Sequence, residues 1–315
     1  MKKWLVILAA VFVFIASATG FFLFSAAGLN LVLGAASQLT DGSFTVEDSG
    51  GSLAGGWQIS GLKIRSAGAD VSVRELGMDW QLSRLLKGNV HVTAISIKDV
   101  EIIVREPETK VQEQASSPFT LPLIAIPLTI IVDRLTVDGA LVRHVDRSAP
   151  LFVMNQLSLR VQAGADKLIV EEVSVKSPEF DVTLKGNLRF SKNWPLEFQG
   201  KWMVEPADYP HVSGTMRLLG TVASPEFIVA VSDPLAVHLS GTLGDVFDNL
   251  SWQVNAEAES LNPQNISSEW PQLAVDAVVE TAGTIDAYGG KIRAVIETDE
   301  YAPASVELSF SGNQS

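Results

Sequence analysis

From Trp57 to the carboxy terminus, apolar and polar residues alternate with period two, the pattern of strands that bury one face and wet the other. The alternation is plain in Val71-Ser72-Val73-Arg74, Val90-His91-Val92-Thr93, Leu157-Ser158-Leu159-Arg160-Val161-Gln162 and Phe180-Asp181-Val182-Thr183-Leu184-Lys185. It continues through Leu196-Glu197-Phe198-Gln199, Trp252-Gln253-Val254-Asn255 and Val306-Glu307-Leu308-Ser309-Phe310. About 19 candidate strands follow, divided by turn-formers such as Asp138-Gly139, Lys185-Gly186-Asn187, Ser191-Lys192-Asn193 and Asp286-Ala287-Tyr288-Gly289-Gly290. The expected fold here is almost purely β.

Departures from the rhythm mark boundaries. Gly50-Gly51-Ser52-Leu53-Ala54-Gly55-Gly56 reads as turns ahead of a first strand at Trp57. Across Val90 to Lys98 the phase slips: Val90, Val92 and Ala94 share one face, while Ile95 and Ile97 fall on the other, which predicts a β-bulge near Ala94. Leu82-Ser83-Arg84-Leu85-Leu86-Lys87-Gly88 predicts a short helical turn ended by glycine. Residues 106–122 are polar, proline-bearing and aperiodic, and read as a linker or mobile loop between a β region at 41–105 and a repetitive β region at 123–315.

Ahead of the β region, no charged side chain occurs between Lys3 and Asp41. The most apolar part, Trp4 to Phe24, carries Trp4, Leu5, Val6, Ile7, Leu8, Phe12, Phe14, Ile15, Phe21, Phe22 and Phe24. At about 1.5 Å per residue it spans roughly the 30 Å core of a bilayer as a helix. Lys2 and Lys3 then stay in the cytoplasm, and everything beyond Phe24 lies in the periplasm of a bacterial inner-membrane protein. Ala16-Ser17-Ala18 and Ser25-Ala26-Ala27 leave a cleaved signal as the alternative, although the stretch is longer than signal cores usually are. Residues 1–40 are thus expected to form an anchor and a following segment. In that segment Leu29, Val32, Leu33 and Ala36 lie at helical spacing, as a short interfacial helix or a plain extension of the anchor.

Charge and composition narrow the function. The net charge of −13, from 36 acidic and 23 basic residues, argues against nucleic acid, whose phosphates need clustered Lys and Arg. The absence of cysteine removes disulfides, thiolate metal sites and thiol nucleophiles. His91, His144, His211 and His238 are far apart and form no HExxH pair. Gly283 to Lys291 lacks phosphate-loop spacing, since Ile285 and Ile292 stand at required positions, and no serine sits in a GxSxG elbow. The expectation is a protein that is not an enzyme and holds no cofactor or metal.

The order of features carries a resemblance. The segment Gly50-Gly51-Ser52-Leu53-Ala54-Gly55-Gly56-Trp57-Gln58-Ile59-Ser60-Gly61-Leu62-Lys63-Ile64 follows the anchor, and Trp80-Gln81-Leu82-Ser83-Arg84-Leu85-Leu86-Lys87-Gly88-Asn89-Val90-His91-Val92 closes into Ile95-Ser96-Ile97-Lys98-Asp99-Val100-Glu101-Ile102. Together they resemble the amino-terminal part of the TamB family, the inner-membrane subunits of the translocation and assembly module within the AsmA-like superfamily. The resemblance covers the chain to about residue 105, with weaker repeats beyond such as Leu239-Ser240-Gly241-Thr242-Leu243. It implies a long curved sheet folded lengthwise into a trough, phospholipid movement between inner and outer membranes, and outer-membrane protein (autotransporter) assembly with the barrel partner TamA. Family members are far longer, so the repetitive region is expected to be incomplete at Gly312-Asn313-Gln314-Ser315.

Pattern alone favours a β-sandwich closing on itself. With the resemblance, the expectation becomes a single transmembrane helix followed by a long, curved, antiparallel-rich sheet forming a trough lined by acyl chains. Phe180, Val182, Leu184, Val237, Leu239, Val90 and Val92 are then the expected lipid-facing residues. The alternative is an anchored periplasmic sandwich that captures protein partners by β-augmentation.

Overall fold

The computed structural model describes residues 20–66, 68–105, 126–147, 149–206, 209–298 and 302–313. Most of the expected anchor, from Lys2 and Lys3 through Ile15, lies outside the described residues, as does the 106–122 segment. Among the described residues no helix is long and apolar enough to cross a membrane. The chain divides into two compact units: one takes in the described residues up to 105 together with 128–161, the other 126–127 and 162–313.

In the first unit the helical residues 20–24 end at a bend on Ser25, whose Oγ accepts from the Gly28 N–H at 3.3 Å and caps helix α1 (Ala26–Leu39). A side chain on Gly28 would collide with the Phe22 carbonyl oxygen, 1.8 Å from where its Cβ would stand, so the sharp bend requires glycine here. α1 is therefore not a straight continuation of the preceding helix. Leu29 and Leu33 of its expected apolar face turn inward, while Val32 is exposed.

Strands β1 (Phe44–Thr45), β2 (Asp48–Ser52), β3 (Gly56–Arg65), β4 (Ala69–Trp80), β5 (Asn89–Val104) and β6 (Thr129–His144) follow, with helix α2 (Leu82–Leu85) between β4 and β5. β1 and β2 both pair with β3, and β3–β4–β5 form an antiparallel ladder. β6 joins β5 in parallel, a departure from the antiparallel rhythm. β7 (Phe152–Ala163) begins beside β6: Leu151 donates to the Val142 carbonyl at 2.8 Å and Gln156 to Asp138 at 3.2 Å.

Two lines of irregularity keep the apolar residues of this unit on one side. Asp79 pairs with Ala94 but Trp80 with Val92, so Thr93 is the extra residue of the expected bulge. The insertion restores the phase: Ile95 and Ile97 return to the face of Val90 and Val92, correcting the opposite placement that strict alternation predicts. A second line crosses the sheet at Gly61, Asp99 and Gly139, all with positive φ, and the Arg74 guanidinium on β4 pairs with Asp99 there. Asp138-Gly139 is thus no turn: glycine's left-handed conformation is spent on an in-strand slip that lets Val137 and Ala140 share a face.

The second unit is an antiparallel meander of ten strands: β8 (Lys167–Lys176), β9 (Phe180–Arg189), β10 (Leu196–Val204), β11 (Val212–Gly220), β12 (Pro225–Asp233), β13 (Val237–Gly244), β14 (Ser251–Leu261), β15 (Ala274–Thr284), β16 (Ala287–Glu297) and β17 (Ala304–Asn313). Each pairs with the next. The expected turn at Ser191-Lys192-Asn193 is present. That at Lys185-Gly186-Asn187 is not, because all three residues lie within β9 paired to β10, Gly186 and Asn187 also to β8. The turn near Asp286 is tighter than predicted, with Ala287 to Gly290 already in β16. Likewise Gly50, Gly51 and Ser52 belong to β2, leaving 53–55 as the turn.

Candidate functional site

Register determines which residues share a face, and in the second unit it collects apolar side chains from all ten strands. One row runs Val175, Val182, Trp202, Gly214, Val231, Val237, Ala258, Ala277, Ala294 and Val306. The next runs Val173, Leu184, Gly200, Met216, Val229, Leu239, Ala256, Val279, Ile292 and Leu308. A third runs Val170, Gly186, Phe198, Leu218, Phe227, Gly241, Val254, Thr281, Gly290 and Phe310. The one polar member, Thr281, turns its hydroxyl to the Gly289 carbonyl at 3.1 Å. The opposite face carries Thr183, Lys201, Thr215, His238, Glu257, Arg293 and Glu307.

This apolar face is largely not buried among the described residues. Of its three rows only Val170 and Ala258 are buried hydrophobics, and no large side chain anywhere in the described chain is fully buried. Most of the face is half-buried, and on β17 Val306, Leu308 and Phe310 are exposed. The sandwich alternative is corrected by this burial, since a second sheet would bury the inner rows throughout. Ten strands about 4.8 Å apart extend roughly 40 Å, and three same-face rows add about 13 Å of width. A patch on the order of 500 Å² is at the upper end of what a monomer leaves bare without a partner.

The lining is kept low by glycine. Phe198, Trp202, Phe227 and Phe310 lie directly across from Gly186, Gly214, Gly241 and Gly290. Each ring occupies the place of the missing side chain: a Cβ on Gly186 would stand 2.6 Å from the Phe198 ring, one on Gly241 2.7 Å from Phe227, and one on Gly214 2.9 Å from Trp202. Tyr288 lies likewise against Gly312. Aromatics are thus laid along the sheet instead of projecting from it.

The first unit builds a face of the same kind. Its rows include Ile59, Leu76, Ile97 and Val137, and Leu62, Val73, Val100 and Ala140, with Val90 and Val92 continuing toward one end beside Ile130 and Val132. Here part of the face is closed. Leu33 of α1, with Phe44 and Val46, packs on buried Ile59, Leu62 and Val73.

Charged pairs of the first unit lie on the other side of its ladder. There Lys98 meets Glu75 at 2.8 Å and Arg143 meets Glu101 at 2.6 Å across strands. The hydrogen bond and positive charge of Lys98 hold the Glu75 carboxyl below its ordinary value, and Glu75 in turn raises Lys98. Lys63 lowers Glu47 in the same way. His91 bridges Asp133 at 2.8 Å and Gln81 at 3.2 Å. Among the described residues no group of His, Asp and Glu could hold a metal ion.

With the geometry known, the comparison with known families is decisive. The family model described as TamB, N-terminal domain, matches residues 15–149 and 111–315. The chain belongs to the TamB N-terminal domain family. No curated protein and no solved structure matches it.

Of the residues singled out from the sequence, Val182 and Val237 lie in one row of this TamB-type sheet and Leu184 and Leu239 in the next, each pair separated by three strands. Phe180 lies one step along on β9, opposite Val204, and Val90 and Val92 lie on the face of the first unit. Phe21, Phe22 and Phe24 are helical, with Phe21 and Phe24 exposed; Trp4, Leu5, Val6, Ile7, Leu8, Phe12, Phe14 and Ile15 lie outside the described residues. Alternation alone does not reveal the paired glycines, because Gly186 reads as a turn. The signal was available in Leu184-x-Gly186-x-Leu188 and Phe198-x-Gly200-x-Trp202, where glycine falls on the apolar beat.

Proposed function

We propose that this chain is an inner-membrane-anchored, periplasmic protein of TamB type whose bare apolar face forms the floor of a trough carrying phospholipid acyl chains between inner and outer membranes. The observation that carries the reading is the three-row face of the second unit, apolar at every position but Thr281 and with only Val170 and Ala258 of its hydrophobic residues buried. Such a face needs an apolar partner that is continuous, deformable and in supply along some 40 Å of strand stacking. Acyl chains have that chemistry. Backbone ladders hold the sheet whether or not the face is filled, so lipid can enter and leave without unfolding the protein.

The protein acts as a carrier and not as an enzyme, holds no cofactor, and works in outer-membrane protein assembly with the barrel protein TamA, as membership of the TamB family supports. Native mass spectrometry of the full chain extracted in mild detergent tests the reading. Several copies of phospholipid bound per chain are expected. Lipid-free protein of intact β content refutes the carrier and leaves the interaction-module reading in its place.

A further inference from the structure

One end of the first unit gathers exposed apolar side chains that the bare sheet face does not use. The turn at 53–55 is tied to the end of the amino-terminal helix, since Ala54 donates to the Leu23 carbonyl at 2.9 Å. The Trp80 indole N–H donates to the Leu53 carbonyl at 2.7 Å, which brings the end of β4 and the α2 loop to the same place. Thr129, first residue of β6, donates to the Gly88 carbonyl at 3.2 Å. At this end Leu86 is 92% exposed, beside exposed Leu85, with Phe21 and Phe24 at 68% and 66% on the helix.

We propose that the loop 82–88 is a second membrane contact, inserting Leu85 and Leu86 into the interface of the bilayer in which the amino-terminal segment is anchored. The proposal rests on the anchored reading. Two independent observations carry it. The 21-residue apolar stretch Trp4 to Phe24 ends at the turn that holds this loop, so a helix spanning the bilayer delivers the loop to the membrane surface. The loop is also basic in an acidic chain: Arg84 and Lys87 flank the two leucines, both are exposed, and no carboxylate occurs from Gln81 to Asn89, against a net charge of −13 overall. Paired leucines between cations match an interface where acyl chains lie beneath anionic headgroups.

The consequence concerns entry of lipid. Val90 and Val92 open the apolar face at this same end, where β5 and β6 both begin. A loop inserted here holds the mouth of that face at the bilayer surface, so a tail leaving the membrane meets apolar side chains first.

The chain has no cysteine, so one introduced residue gives a unique label. An environment-sensitive fluorophore on Leu86→Cys, in the full chain reconstituted into vesicles containing anionic phospholipid, is compared with the same label on Asp146→Cys. Asp146 follows the far end of β6, roughly 50 Å along the strand. The expected result is a blue-shifted emission at position 86, quenched several times more strongly by lipid-borne quenchers than at 146. Equal, weak quenching at both positions overturns the proposal. As a second arm, Leu85→Asp with Leu86→Asp should leave β-type circular dichroism unchanged and lower the phospholipid copies per chain. If the wild type carries no lipid, the carrier reading fails on its own, while the quenching comparison still decides whether the loop is inserted.

Discussion

Leu239→Arg separates a bare face from a closed core by magnitude. Leu239 is half-buried, between Val229 on β12 and Ala256 on β14. Full burial of a leucine is worth about 2 kcal/mol, so losing half of it costs folding about 1 kcal/mol, because an arginine on a bare face reaches water. In a closed core the same charge has no partner and costs several kcal/mol, enough to unfold a domain of ordinary stability. Lipid occupancy behaves in the reverse manner. Seating acyl chains against the guanidinium desolvates it, and a penalty of about 3 kcal/mol corresponds to more than a hundredfold loss of affinity. Thermal denaturation and lipid counting by native mass spectrometry, on the same preparation, are the assays. A small drop in melting temperature with near-complete loss of lipid is expected. Unfolding would show that the face is closed, and a folded variant with wild-type lipid would show that the tails lie elsewhere.

Trp80 and Trp202 should respond differently: Trp80→Phe breaks the 2.7 Å bond to Leu53 and should cost about 1 kcal/mol, whereas Trp202→Phe removes a buried N–H that has no partner and should cost less, both read from denaturant midpoints. Gly34, exposed in α1 with no atom within 4 Å of an added Cβ, should gain about 0.5–1 kcal/mol on Gly34→Ala, while Gly241→Ala, whose Cβ would meet the Gln253 carbonyl at 2.5 Å, should lose about 1–3 kcal/mol; shifts of the same sign would contradict the packing. Because Lys98 lowers Glu75, the pair stabilises above the ordinary carboxylate value of 4.5 and loses its effect as pH falls below that. Lys98→Met should return the Glu75 titration, followed by carboxyl-carbon NMR, toward 4.5, and an unchanged titration would remove the assigned cause.

Period-two alternation made the strands legible, since burial of one face imposes it residue by residue, and it paired Val182 with Leu184 and Val237 with Leu239 within their strands; that the two pairs share a face is given by the register across β9 to β13. What alternation cannot register is a residue that changes phase without ending a strand. Gly139 reads as a turn and Asp99 carries no signal in the sequence, yet their positive φ values absorb slips inside β6 and β5. Gly186 reads as a turn for the opposite reason: its value is the empty place it leaves for Phe198, a relation between strands that a single strand's sequence does not display. The parallel pairing of β5 with β6 was equally hidden, because both strands alternate in the same way whichever direction their neighbour runs.

The central claim is that one face of the sheet meets lipid and the other meets water, and neighbouring positions on β9 test it most directly. Val182 lies in the apolar row with Trp202, and Thr183 on the opposite face with Lys201. With a photocrosslinking residue at each position in living cells, the account predicts phospholipid captured at 182 and essentially none at 183. Equal capture at both positions, or none at 182 in a folded protein, contradicts it.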